Sequence, residues 1–247
     1  MKAPGLRGLI VIGALAYLAF LLVTFPAHVA TRLLPDAVEA SGVSGTLWRG
    51  QASSLRIDNM VVGETKWRLK PLALLTVRIK ADVEIDLADG VIAAEVAATP
   101  TGRIFLADVA GVVPINALSG LIPTDMIDGR IGLDLASASL EDGWLVDAEG
   151  TVDVVDLRVI APVAESLGNF ELQFTGAGEE SLDGRFRDTR APLQANGTLV
   201  LHRDRRWVLD GSVSASQGAS PQLSQALAML GPRDNRGAYQ VSLSGQL

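Results

Sequence analysis

Apolar residues are distributed along this chain in two ways: one unbroken run near the start, and alternation with polar residues almost everywhere else. The run extends from Leu9 to Phe25, with Lys2 and Arg7 on its N-terminal side. As a helix, its about 17 residues span roughly 25 Å, and Gly8, Pro26 and Ala27 can extend it toward the thickness of a bilayer. A cleaved signal peptide is the competing reading. Against it, the apolar core exceeds the ~7–15 residues of a signal sequence, and His28 spoils a small-x-small site ending at Ala30. The pattern therefore predicts a single membrane anchor. Its basic flank keeps the N-terminus cytoplasmic, and in a bacterium the remainder is then periplasmic.

Beyond the anchor the period is two. Val77, Ile79, Val83, Ile85 and Leu87 point one way, while Arg78, Lys80, Asp82, Glu84 and Asp86 point the other, which predicts a strand with one buried and one wet face. Asp89-Gly90 is a hairpin turn signal, and Val91 to Ala98 is the returning strand. The same alternation marks Ile131, Leu133 and Leu135, then Val152 and Val154, then Phe170, Leu172 and Phe174. It continues through Leu199 and Leu201, through Trp207, Leu209 and Val213, and through Tyr239, Val241, Leu243 and Leu247. Turn residues separate these runs at Glu141-Asp142-Gly143, Gly176-Ala177-Gly178, Asp183-Gly184 and His202-Arg203-Asp204.

Three segments break the alternation and predict helices. In Ser220 to Leu230, Ser220 caps, Pro221 takes the first turn, Leu223, Leu227 and Leu230 share a face, and Gly231-Pro232 ends the helix. Pro114 to Leu121 and Pro162 to Leu167 are shorter candidates, and such helices would cap the ends of a curved sheet. The predicted fold is mainly β: one N-terminal transmembrane helix, then an elongated, curved antiparallel hairpin meander with a few short helices. Its organisation is a cytoplasmic stub and anchor (1–27), a short helical or irregular connector (28–44) and a periplasmic β domain (45–247).

Composition removes much chemistry. Cysteine is absent, so disulfides, thiolate metal sites and cysteine nucleophiles are excluded, and two histidines cannot form a histidine cluster. The net charge of −7 is spread over interspersed acids and bases, a surface unsuited to nucleic acid. About 220 residues beyond the anchor are ample for a core.

Motifs of catalysis are missing. His202-Arg203-Asp204 imitates a kinase tripeptide without the other kinase elements, and reads as a turn. Asp82, Glu84 and Asp86 could face a hard cation, but calcium ligands come from curved loops, and Arg78 and Lys80 share their side. The serines lack a nucleophile elbow, and neither a P-loop nor a dinucleotide fingerprint is present. The expectation is a protein without enzymatic activity, cofactor or metal.

Several ordered strings do carry a resemblance. They are Gly45-Thr46-Leu47-Trp48-Arg49-Gly50-Gln51-Ala52, Trp67-Arg68-Leu69-Lys70-Pro71-Leu72-Ala73-Leu74-Leu75, and Asp128-Gly129-Arg130-Ile131. Near the C-terminus come Leu227 to Gly231, Asp234, Arg236-Gly237-Ala238-Tyr239 and Gly245-Gln246-Leu247. In order and spacing the chain resembles the type II secretion system protein N family, over nearly its whole length. That resemblance implies a bacterial inner-membrane component of the machinery exporting folded proteins. Its implied partners are other secretion subunits, the inner-membrane platform or the secretin, together with the inner membrane itself.

The motif residues Trp48, Gly50, Trp67, Pro71, Gly237, Tyr239 and Gly245 read as structural. Trp48 and Trp67 are expected to be large core anchors, with glycine permitting a bend after Trp48. A lipid-binding or lipid-transfer module is the alternative function, since apolar residues facing one way along many hairpins could line a trough.

Overall fold

The structure, a computed structural model, describes residues 12–14, 17, 20–21, 23–30, 38–57, 60–76, 78–87, 89–118, 126–161, 164–178 and 180–246. Leu9 and much of the predicted anchor lie outside the described residues. The described positions between 12 and 23 are helical, with Ile12, Tyr17, Phe20, Leu21 and Val23 exposed. Among the described residues no helix is long and apolar enough to cross a membrane.

The described strands from Val38 onward form one antiparallel sheet. Its strands are β1 (Val38–Ser41), β2 (Ser44–Gly45), β3 (Arg49–Ile57), β4 (Met60–Leu69), β5 (Ile79–Leu87), β6 (Gly90–Ala98) and β7 (Ile104–Pro114). They continue with β8 (Ile127–Glu141), β9 (Trp144–Val159), β10 (Glu165–Ala177), β11 (Ser181–Arg190), β12 (Leu193–His202), β13 (Arg206–Ala215) and β14 (Tyr239–Gln246). From β3 to β14 each strand pairs with the next in sequence, while β1 and β2 both pair with β3, so the predicted meander is what the chain forms. The sheet begins earlier than the alternation suggests, because β1 and the first residue of β2 fall within 28–44 and β1 aligns Val38 to Ser41 against Ile57 to Ser54. The short helix Ala27–Ala30 overlaps the start of that segment.

Local chemistry sets the turns. Leu87 pairs with Gly90, closing the hairpin where Asp89-Gly90 predicted it. Between β8 and β9, Asp142 and Gly143 have φ of 49° and 77°, the two left-handed residues a tight hairpin requires. Asp183-Gly184 is not a turn: it lies within β11, and the connection is made by Gly178 N–H donating to Ser181 O at 2.8 Å. Gly184 is needed there for space, because a Cβ on it would stand 2.9 Å from Leu172 and Phe174.

Register places the predicted apolar sets on one face. Leu133 pairs with Val152, Val152 with Leu172 and Leu172 with Phe186. Farther on, Leu199 pairs with Leu209, and Leu209 with Leu243. The opposite face carries the pairs Asp134 with Thr151 and Asp210 with Ser242.

That apolar face curls onto itself. In a flat sheet β9 and β12 would be about 14 Å apart, yet Trp144 Nε1 donates to His202 O at 2.9 Å and Arg205 donates to Asp142 O at 3.0 Å. The enclosed cluster is Ala138, Ala148, Phe174 and Leu182, with Leu106, Leu145, Leu199 and Leu201 packed around it. At the other sheet end the helix Pro221–Ala228 closes the curl, burying Leu223 and Leu227 against Tyr239, with Leu193 and Val213 alongside.

Ser220 caps this helix by accepting from Leu223 N–H at 3.0 Å, as its sequence predicts. Leu230 departs from the prediction: the helix stops at Ala228, and Leu230 is exposed. Pro114 ends β7, and Ile115–Leu118 form a single 3-10 turn with Ile115 buried, while Leu121 lies outside the described residues. No helix forms through Leu167, because Glu165 already pairs with Val159 and commits the backbone to β10. The predicted buried face of β5 is only half covered: Val83 and Ile85 are half-buried and Ile79 is exposed, since the curl enclosing the later strands does not extend over it.

Candidate functional site

Pairing of β3 with β4 brings the first two motif strings together. Gly50 lies opposite Trp67 and Arg49 opposite Arg68, and Leu69 N–H donates to Trp48 O at 2.8 Å. Trp67 lies across Gly50, where a Cβ would approach the ring within 2.5 Å, and its Nε1 donates to Leu47 O at 3.2 Å. Both tryptophans are half-buried, so neither is the fully enclosed core ring the sequence suggests. Trp48 sits in the bend before β3, at the end of the sheet. Pro71 is exposed and opens the 3-10 turn Pro71–Thr76.

This cluster borders an open groove of about 860 Å³ on the polar face. Arg49, Lys66, Arg68, Lys70, Asp82, Glu84 and Glu95 line it. The carboxylates of β5 are answered by lysines: Lys66 reaches Asp86 at 2.6 Å and Lys70 reaches Asp82 at 2.7 Å. Glu95 pairs with both Lys70 and Lys80. Donation to Asp86 raises the pKa of Lys66, and donation to Asp82 and then to Glu95 raises that of Lys70. Lys70 and Lys80 in turn hold Glu95 below the usual carboxylate range. Such a ladder of ion pairs is a solvated sheet face. Arg49 and Arg68, by contrast, have no carboxylate partner among the described residues although they oppose one another across the strands.

The C-terminal motif residues hold the last strand and the connection that leads into it. Tyr239 is buried, accepts from Arg233 Nε at 2.7 Å and lies under that guanidinium. Asp234 organises the turn before it, accepting from Arg236 N–H at 2.8 Å and Ala238 N–H at 2.9 Å, while Gly237 takes φ of 82°. Gly245 lies beneath Trp207, whose ring atoms would stand 2.8 Å from an added Cβ. The central motif also has a structural task, as Asp128 accepts from Arg158 Nε at 3.0 Å between β8 and β9.

β14 forms one outer edge of the sheet. It pairs with β13 without a register break from Tyr239 to Gln246, and among the described residues no other strand covers its far side. Its sequence, Tyr-Gln-Val-Ser-Leu-Ser-Gly-Gln, has no charge and no proline, and Leu243 is 53% exposed. Natural sheets blunt such edges with charges, prolines or bulges unless a partner uses them. Absence of charge in this last strand was a readable signal. The opposing Arg49 and Arg68 were not predicted, because their pairing depends on β3–β4 register.

The described residues contain no group of three or more metal-ligating side chains.

Comparison with known proteins agrees with the motif strings. Residues 36–242 match the family described as "Type II secretion system (T2SS), protein N". The chain is similar to type II secretion system protein N of Aeromonas hydrophila, with 26% identity covering 94% of this chain and 95% of that one. It is likewise similar to type II secretion system protein N of Vibrio cholerae serotype O1, with 26% identity covering 91% of this chain and 92% of that one. No solved structure matches. With most of its length matching, from before β1 into β14, the chain belongs to the type II secretion system protein N family.

Proposed function

We propose that this protein is a non-enzymatic inner-membrane component of the type II secretion system that engages other subunits by strand addition at β14. Family membership supports the role in secretion. The unprotected edge carries the finer reading, because eight residues of uncharged, uninterrupted strand offer a partner strand a continuous ladder. In this reading the segment from Leu9 to Phe25 is the anchor, the N-terminus is cytoplasmic, and the sheet domain meets the secretin or the inner-membrane platform in the periplasm.

Affinity-tagged full-length protein, crosslinked in its native host, tests this by what co-purifies. Recovery of platform or secretin subunits with the wild type and their loss with Ser242→Lys plus Ser244→Lys supports the edge as the contact. Equal recovery from the variant refutes it. Deleting the gene should also lower secretion of exported enzymes.

The apolar face favours a second reading, in which lipid occupies the open part of the curl. Leu133, Val152 and Leu172 are half-buried, and Val83 and Ile92 continue the same face toward β4. Native mass spectrometry of the purified chain decides this: co-purifying lipid supports it, and a lipid-free spectrum rejects it.

A further inference from the structure

The apolar turn after β4 shares one end of the sheet with the point where the N-terminal segment joins it, and we infer that this end is seated on the surface of an acidic phospholipid bilayer. The inference rests on the reading of Leu9 to Phe25 as a membrane anchor.

Backbone contacts fix the geometry. Leu47 N–H donates to Phe25 O at 2.8 Å, Leu69 N–H to Trp48 O at 2.8 Å, and Lys70 N–H to Lys80 O at 2.7 Å. In the same row Ile79 pairs with Ala98, and Ala98 with Ile104. Phe25, the turn Pro71–Thr76, Ile79 and Ile104 therefore lie along one sheet end.

Over the first strands of that end, apolar side chains stand exposed. Leu72 is 78% exposed, Ile79 56% and Ile104 38%. A single exposed leucine is ordinary on a soluble surface; several together mark an interaction site.

Charge selects the partner. Arg49, Arg68 and Arg78 are exposed beside this turn, and none has a carboxylate partner among the described residues. Nearby carboxylates are already engaged, Asp82 by Lys70, Glu95 by Lys70 and Lys80, and Glu141 by Arg103. A chain of net charge −7 thus presents, where its membrane-directed segment departs, guanidiniums that no carboxylate neutralises among the described residues, Arg78 lying over the Phe105 ring. Apolar side chains rimmed by cations match the interface of an anionic bilayer, with Leu72 at the acyl boundary and arginines on lipid phosphates. The contact would hold the sheet upright on the membrane and leave β14 free along its length.

The absence of cysteine makes the test clean, since single cysteines can carry a fluorophore in the full-length chain. Leu72→Cys reports the proposed contact and Tyr17→Cys the anchor. Gln217→Cys, exposed beyond β13 at the opposite sheet end, is the control. Each labelled chain is placed in nanodiscs of phosphatidylcholine with phosphatidylglycerol, doped with a spin-labelled lipid quencher.

Quenching at positions 17 and 72 but not at 217, with position 72 weakened in phosphatidylcholine alone, is the expected result. Each of Arg49→Gln, Arg68→Gln and Arg78→Gln should reduce the ratio of engaged to free end about fivefold. Quenching at 17 with position 72 as dark to the quencher as 217 overturns the contact while leaving the anchor intact. No quenching at 17 overturns the anchor reading and this inference with it. Leu72→Asp, a substitution at an exposed site, should abolish the composition-dependent signal of a fluorophore placed at Ile79→Cys; an unchanged signal also overturns the proposal.

Discussion

Replacing Leu182 by alanine tests the curl on which the fold depends. Leu182 is 0% exposed, enclosed with Ala138, Ala148 and Phe174 and paired across the strands with Leu201. Losing its three outer carbons removes about 2.4 kcal/mol of transfer free energy. Ala138 and Ala148 have no side-chain freedom with which to fill the space, and Phe174 is already packed over Gly184. The cavity should therefore stay open and bring the cost to about 4 kcal/mol, in the upper part of the range for buried leucines. Urea unfolding of the purified full-length chain, followed by tryptophan fluorescence, reads the loss. With an unchanged slope of about 3 kcal/mol per M, the midpoint should fall by more than about 1 M. Leu243→Ala, at a 53% exposed edge position, should cost only about 0.5 kcal/mol. A Leu182→Ala midpoint no lower than that of Leu243→Ala would refute self-packing of the sheet.

Other consequences follow from single contacts. Gly245→Ala forces a Cβ against Trp207 and should cost about 1–3 kcal/mol, read as a lower urea midpoint and partly relieved by adding Trp207→Leu. Ser220→Ala leaves Leu223 N–H without its cap and should cost about 1 kcal/mol, with a lower melting temperature as the check. Asp234 is held below the usual carboxylate range by N–H donation from Ala238 and then Arg236. Because the folded pKa is depressed, its stabilising contribution is complete above the unfolded pKa of about 4 and disappears as pH falls through the lower folded value. Asp234→Asn should therefore flatten the acid branch of the stability–pH curve, and an unaltered branch in urea titrations at falling pH would contradict this. Glu95, lowered by Lys70 and Lys80, titrates with the same sign, so Glu95→Gln should flatten the same branch further.

Most strands and hairpins were legible because their signals are local. Alternation in the sets from Ile131 onward assigned their apolar side chains to a face, and the observed register joins those sets, with bulges falling between or beyond them. Misreadings occurred where a residue's meaning depends on a neighbour distant in sequence. Gly184 looks like a turn glycine after Asp183, yet it is the space left for Phe174 and Leu172. Leu167 looks helical after Pro162, yet its strand is committed by pairing with β9 and its side chain packs with the Pro221–Ala228 helix cluster.

The candidate surfaces divide in the same way. The uncharged composition of β14 can be read from the chain, but whether that strand is an edge depends on which strands precede it in the sheet. The Arg49–Arg68 opposition and the gathering of Phe25, Leu72 and Ile79 at one end require knowledge of register.

By itself the sequence determined the strand periodicity, most of the hairpin turns, the capped helix and the family, because dihedral preferences and side-chain alternation act within a few residues. Only the tertiary structure decided how far the sheet curls, and hence that Leu182 is sealed while Val83 stays half open. The physical reason is that twist and closure sum over many strands. Small local bends accumulate until Trp144 meets His202, and no short stretch of sequence contains that sum.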